Sequence, residues 1–210
     1  MVKLTIGAIA SGSGSNFEAI VQSTKNGILK EKATVEVLIC NKAGKYCIER
    51  AKNHNIPYLL IESDNFKGTR EEFDQKMIIE LKKFNCELIV LVGYMRLVSK
   101  TFIDAFNGNI MNIHPALLPS FKGMHAHDDV LEYGVKVSGC TVHFVNPFED
   151  SGPIIIQKCV PVYDSDTKET LGSRVLKWEH LIFPKAIELF CDGHLHIDNR
   201  IVRIDCEVKL

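Results

Sequence analysis

Four short apolar runs divide the first half of the chain, at residues 4–10, 34–40, 56–61 and 88–92, with helical spacing between them. The run at 88–92 carries no polar residue, as a central parallel strand covered on both faces requires. After the first run, Phe17, Ile20 and Val21 fall on one side of a helix, and residues 43–53 form a second helical stretch. Thr69 and Glu72 have capping-box spacing at the head of a third, striped by Phe73, Met77, Leu81 and Phe84. Repeated strand–helix–strand units need right-handed crossovers and hence a parallel sheet. An α/β, Rossmann-like architecture is expected.

The second half has a different pattern. Residues 138–145 alternate, with Cys140, Val142 and Phe144 on one face and Thr141, His143 and Val145 on the other. A turn at Asp150-Ser151-Gly152 leads to a further strand at 153–161, so the sheet should be mixed here. Asp166 and Glu169 have capping-box spacing before a long helix striped by Leu171, Val175, Trp178, Ile182, Ala186 and Leu189. Pro184 should kink or split that helix. Residues 194–197 and 201–204 flank Asp198-Asn199-Arg200 as a terminal hairpin. With no repeat or linker, one domain over 1–210 is expected, with two differently built halves that meet at about residue 100.

The formal net charge is −1, which gives no electrostatic reason to expect nucleic acid or an acidic membrane as partner. No apolar stretch reaches spanning length, and the N-terminus reads as a first strand rather than a signal peptide. The seven cysteines include no C-x-x-C pair. They read as buried free thiols of a reducing, cytoplasmic compartment.

Two segments carry chemistry. Ser11-Gly12-Ser13-Gly14-Ser15-Asn16 joins a strand to a helix. Glycines allow close approach to a ligand, and the helix start offers free N–H groups to a phosphate. Phe17 stands where a dinucleotide fingerprint has its third glycine, and no Gly-Lys-Ser/Thr follows, so a monophosphate ester is the natural ligand. A plain turn and helix cap is the competing reading. The second segment is Asn112-Ile113-His114-Pro115. On a strand that Pro115 ends, Asn112 and His114 point the same way. An amide and an imidazole there suit an oxyanion and a proton, and Asp150 in the later turn could orient the imidazole. His125 and His127 lack a third ligand for a metal. His194 and His196 read as an exposed strand face, and His143 as a satisfied sheet histidine. Asp128-Asp129 reads as a loop or helix start. Taken alone, Glu179 reads as a solvated helix carboxylate.

These segments, with Gly93-Tyr94-Met95-Arg96, Val142-His143-Phe144-Val145, Asp150-Ser151-Gly152-Pro153 and Glu179-His180, resemble the folate-dependent phosphoribosylglycinamide formyltransferases of purine synthesis over essentially the whole chain. The resemblance implies a formyltransferase fold and a catalytic trio of Asn112, His114 and Asp150. It implies substrate contacts at Gly14, Ser15, Asn16 and Glu179. It implies a pocket for 10-formyltetrahydrofolate, the co-substrate, at Met95, Arg96, Leu97 and Val98, with Phe102, Ile110, Val145 and Asn146 as further lining. The implied reaction is direct attack of the glycinamide ribonucleotide amine on the formyl carbon, through a tetrahedral intermediate and without a metal. Monomer and homodimer both suit such an enzyme.

Departures from the family's pattern are Ser151 where glycine is common, Lys122 before Gly123, and Asp128-Asp129; they bear on loop shape. Formyltetrahydrofolate hydrolase is the nearest alternative, but it carries an N-terminal regulatory domain. Methionyl-tRNA formyltransferase carries a C-terminal RNA-binding domain. A phosphate-ligand binding module without catalysis is the alternative from another class.

Overall fold

The computed structural model describes residues 2–208. The first half runs β1 (Leu4–Ala10), α1 (Ser15–Asn26), β2 (Ala33–Cys40), α2 (Tyr46–Asn53), β3 (Tyr58–Leu60), α3 (Arg70–Lys83) and β4 (Leu88–Leu91). The second half continues with α4 (Lys100–Ala105), β5 (Ile110–His114), α5 (Ala126–Tyr133), β6 (Val137–Phe144) and β7 (Ile154–Pro161). It closes with α6 (Lys168–Cys191), β8 (Leu195–Asp198) and β9 (Ile201–Ile204). Among the described residues all strands join one sheet, ordered β3-β2-β1-β4-β5-β6-β7-β9-β8. The pairs from β3 to β5 are parallel, whereas β5–β6 and β6–β7 are antiparallel. The expected mixed α/β architecture is found, and the pairing changes at β5. Strand order reverses between β1 and β4, where open α/β sheets hold ligands outside the strands' carboxyl ends.

Alternation along the strands sorts side chains into two apolar layers. Ile6, Ala8 and Ala10 of β1, Leu88 and Val90 of β4, and Met111 and Ile113 of β5 share one layer with Phe17, Val175, Ile182 and Phe183 of α1 and α6. Ile9, Ile89, Leu91 and Ile110 enter the other, with Phe73, Met77 and Leu81 of α3 and Phe102 of α4. Both faces of the central strands are thus covered, which is why β4 can be wholly apolar.

Several elements differ from the sequence expectation. The second helix begins at Tyr46 rather than residue 43, and the third strand shrinks to Tyr58–Leu60 at the sheet edge. α4 was not expected; of the two readings open for Asp128-Asp129, a helix start is found, since both lie in the first turn of the short α5. Thr69 and Glu72 do form a capping box. At α6, however, Thr167 is the cap, paired with Thr170. Asp166 instead accepts from the Tyr163 N–H, the Thr170 hydroxyl and both terminal nitrogens of Arg174. Pro184 does not split α6. Its cost of about 3 kcal/mol is outweighed by burial of Ile182, Phe183, Ala186 and Ile187, each side chain except alanine contributing about 1.5–3 kcal/mol. Cys40, Cys47, Cys86 and Cys140 are buried, but Cys159 is exposed and Cys191 and Cys206 are half-buried. No described helix is long and apolar enough to cross a membrane.

Candidate active site

Asn112 and His114 lie on the same face of β5 as Ile110, opposite Met111 and Ile113. Phe102 and Phe106, at the two ends of α4, share the apolar layer with Ile110. The antiparallel register sets His143 opposite Asn112 and Thr141 opposite His114. Four polar side chains therefore meet on one patch of sheet. Thr141 is spent on structure: it donates to the Ala116 carbonyl at 2.7 Å and accepts from the Leu118 N–H at 3.1 Å, fixing the chain after Pro115.

His114 is 3% exposed, and both ring nitrogens have partners. Nε2 is 2.7 Å from the Phe121 carbonyl, and Nδ1 is 3.2 Å from Asp150 Oδ2. A carbonyl only accepts, so Nε2 carries a hydrogen. Nδ1 faces the carboxylate. The Asp150 Oδ2 atom also accepts the Gly123 N–H at 2.9 Å. Phe121, Gly123 and Asp150 all adopt left-handed backbone, with φ of 53°, 87° and 43°. For a bulky residue such as phenylalanine that conformation is costly, and here it aims a carbonyl at the His114 ring.

His143 fixes the amide. Its Nδ1 lies 2.8 Å from the Phe144 carbonyl and therefore carries the hydrogen. Burial holds its pKa below the ordinary histidine value, so the neutral ring leaves Nε2 as an acceptor. Asn112 Nδ2 donates to it at 3.3 Å, which leaves the second amide hydrogen for the cleft.

The left-handed residue in the 150–152 turn is Asp150 and not Ser151, so serine at 151 meets no backbone strain. Its hydroxyl donates to Asn146 Oδ1 at 3.0 Å. The glycine requirement falls one residue later, since a Cβ on Gly152 would overlap the Phe144 carbonyl.

A cavity of about 270 Å³ opens beside these groups, lined by Asn112, His114, His143 and Asp150. Met95, Arg96, Leu97, Val98, Val145 and Asn146 also line it. Phe102 and Ile110 do not; both are fully buried in the layer beneath. Its mouth is open, with Met95, Met124 and Phe148 exposed around it beside the charged Arg96 and Glu149. The Ser11 N–H donates to the Gly93 carbonyl at 3.1 Å, and the Ser11 hydroxyl accepts the Met95 N–H at 3.0 Å. Those bonds tie the loop after β1 to the cavity wall after β4.

Gly14, Ser15, Asn16 and Glu179 gather separately, where α1 begins beside α6. Gly14 is the α1 N-cap at φ 71°, with no side chain capping the first turn. A Cβ on Gly14 would sit 2.6 Å from Cβ of Cys47. Glu179 is 6% exposed and is not the solvated carboxylate its position alone suggested. Its Oε2 accepts from Asn16 Nδ2 at 2.7 Å, while Asn16 Oδ1 is buried without a partner. Burial pushes the Glu179 pKa up, and the Asn16 bond opposes that. Buried, under-satisfied acceptors beside free helix N–H groups make a cradle for an anion with donors of its own.

Sequence reasoning missed His143, Tyr94, Met124, Phe148 and Glu149 in the cavity wall. For His143 the signal was present, because two antiparallel strands with polar residues on matching faces must juxtapose them. For Met124 and Phe148, loop residues, there was none.

Residues 4–187 match the formyl transferase family. The chain is 36% identical to phosphoribosylglycinamide formyltransferase of Escherichia coli, over 96% of this chain and 94% of that one. It is 44% identical to the trifunctional purine biosynthetic protein adenosine-3 of Gallus gallus, over 93% of this chain and 19% of that one. The chain spans 14% to 19% of the length of such trifunctional relatives. In structure it is similar to glycinamide ribonucleotide transformylase 1 of Symbiobacterium toebii, with TM-score 0.92 and 43% identity over 96% and 94% of the two chains. The fold, the matched span and these identities agree: the chain belongs to the formyl transferase family, among the phosphoribosylglycinamide formyltransferases.

Proposed function

We propose that this chain transfers the formyl group of 10-formyltetrahydrofolate to the amine of glycinamide ribonucleotide. The observation that carries the reading is the pairing of His114 with Asp150 at 3.2 Å, on the face that Asn112 shares, in the wall of an open cavity. The open cavity with backbone groups at 93–98 suits a flat, partly polar ring system such as a pterin. The cradle at Gly14, Ser15 and Asn16 suits the nucleotide phosphate, and Glu179 suits a donor at its sugar or glycinamide end. A bond forms from the amine nitrogen to the formyl carbon, and the bond from that carbon to the folate nitrogen breaks.

Asn112 and His114 act on the charge that develops on the formyl oxygen. The free Asn112 amide hydrogen faces it, and His114 Nδ1–H is shared between that oxygen and Asp150. Losing one such donor costs roughly a hundred- to a thousandfold in rate. Asp150 takes up the proton that leaves the amine and, through water, passes it to the departing folate nitrogen. Holding both reactants at the carboxyl ends of the central strands supplies much of the remaining acceleration. Both partners are small molecules, which agrees with the near-neutral charge, and the reading places the chain in the cytoplasm.

The test is one assay with three acceptors: glycinamide ribonucleotide, water and charged initiator tRNA. Transfer to the nucleotide alone is expected. Formate release at the same rate without acceptor would mark a hydrolase and overturn the reading.

A further inference from the structure

The β8–β9 hairpin at the edge of the sheet carries donor atoms that the formyl-transfer site does not use. β9 is the third strand from β5, roughly 14 Å away at about 4.8 Å per strand. Leu195 is paired with Ile204, so His194 and Asp205 are the next residues outward, at the hairpin's open end. The Asp205 N–H donates to the His194 carbonyl at 3.4 Å, and the His194 N–H is held by the Leu189 carbonyl of α6 at 2.9 Å. Both backbones are therefore fixed. His194 Nδ1 lies 2.5 Å from Asp205 Oδ1, and His196 Nε2 lies 3.0 Å from Asp205 Oδ2. Cys206 follows, and the ligand atoms of His194, Asp205 and Cys206 all lie within 4.8 Å of one another.

We propose that His194 Nδ1, Asp205 Oδ1 and Cys206 Sγ form a binding site for a divalent cation of the zinc class. An imidazole, a carboxylate and a thiolate suit a borderline-soft ion. Magnesium and calcium are disfavoured, since they want a shell of oxygens. Three protein ligands leave the fourth tetrahedral position to water. Loading releases the Cys206 thiol proton, and His194 binds as the neutral imidazole with its hydrogen on Nε2. The ligand atoms then move apart slightly, to the separations that metal–ligand bonds of about 2.0–2.3 Å impose. His196 holds the second oxygen of Asp205 and orients it, as partners beyond the ligands do in known metal sites. Arg203, opposite His196, pairs with Asp198 at 3.5 Å. Cys206 packs against the core edge while Asp205 is exposed, so the ion would join the end of the hairpin to the body of the protein.

The experiment titrates chelator-stripped, full-length protein with zinc against a chromophoric competitor, and with cobalt as a spectroscopic probe. One zinc per chain is expected, with a thiolate-to-cobalt charge-transfer band and a zinc-dependent rise in melting temperature. Cys206→Ser should abolish the band, and His194→Ala should weaken zinc at least tenfold. Cys159→Ser should change neither, and formyl transfer should be unaffected in all three variants. Absence of zinc binding overturns the proposal. So does binding that both Cys206→Ser and His194→Ala leave unchanged, because the ion then sits elsewhere.

Discussion

Asn112 donates a side-chain amide hydrogen to Nε2 of His143, the residue directly across the β5–β6 ladder, at 3.3 Å. The bond exists because His143 is neutral and has its other nitrogen committed to the Phe144 carbonyl. A protonated or absent ring would let the amide rotate. His143→Ala should therefore lower kcat by about tenfold with little change in KM for the nucleotide. Steady-state kinetics with each substrate varied checks this; an unchanged kcat would show that the amide needs no such support.

Asp150→Asn keeps the shape and the oxygen that accepts the Gly123 N–H, but it removes the charge facing His114. Turnover should fall by roughly two to three orders of magnitude while the circular dichroism spectrum and melting temperature stay close to those of the parent. Near-parental turnover would take Asp150 out of proton handling.

Glu179 gives a prediction with a pH sign. Burial raises its folded-state pKa above the ordinary glutamate value. The stability linked to its proton is complete below the unfolded value and is lost as pH rises through the raised folded one. Above that folded value the buried carboxylate is ionised and weighs against the free protein. Glu179→Gln should melt higher than the parent at pH 8, with the advantage shrinking toward pH 4, and should raise KM for the nucleotide at least tenfold. A lower melting temperature for the variant at pH 8 would contradict this.

The 150–152 turn separates two neighbouring residues. Ser151→Gly loses one hydroxyl bond and should keep activity within about threefold, a surface-scale effect. Gly152→Ala drives a methyl into the Phe144 carbonyl and should displace Asp150, costing more than a hundredfold in turnover. Equal activities in the two variants would mean that the loop adapts freely.

Gly14→Ala meets both a left-handed φ and the Cβ of Cys47 at 2.6 Å. A loss of about 1–3 kcal/mol is expected in urea unfolding, together with weaker binding of the nucleotide phosphate.

Much of this architecture could be read from residues alone where spacing and burial reinforce each other. The run at 88–92 and the alternation of 138–145 have periods that only one packing satisfies. The α6 cap could not be read, because Asp166 and Thr167 both fit the position, and Asp166 is engaged by Tyr163, Thr170 and the more distant Arg174 instead. Glu179 was misread for a related reason. Helical spacing sets it beside the buried stripe, four residues after Val175 and three before Ile182, but a lone carboxylate was read there as solvated, and the Asn16 amide that partners it lies on α1, far away in sequence. His143 lay within reach of sequence logic, since strand alternation had already put it on the face that Asn112 occupies once the strands pair.

Ser11 bonds the 93–95 segment twice. One main-chain bond and one hydroxyl bond at the tips of two adjacent strands thus set the spacing between the two proposed substrate platforms before either ligand arrives. A substitution such as Ser11→Ala would leave each platform intact and loosen only the gauge between them, so its signature should be slower chemistry at saturation rather than poorer loading of either partner.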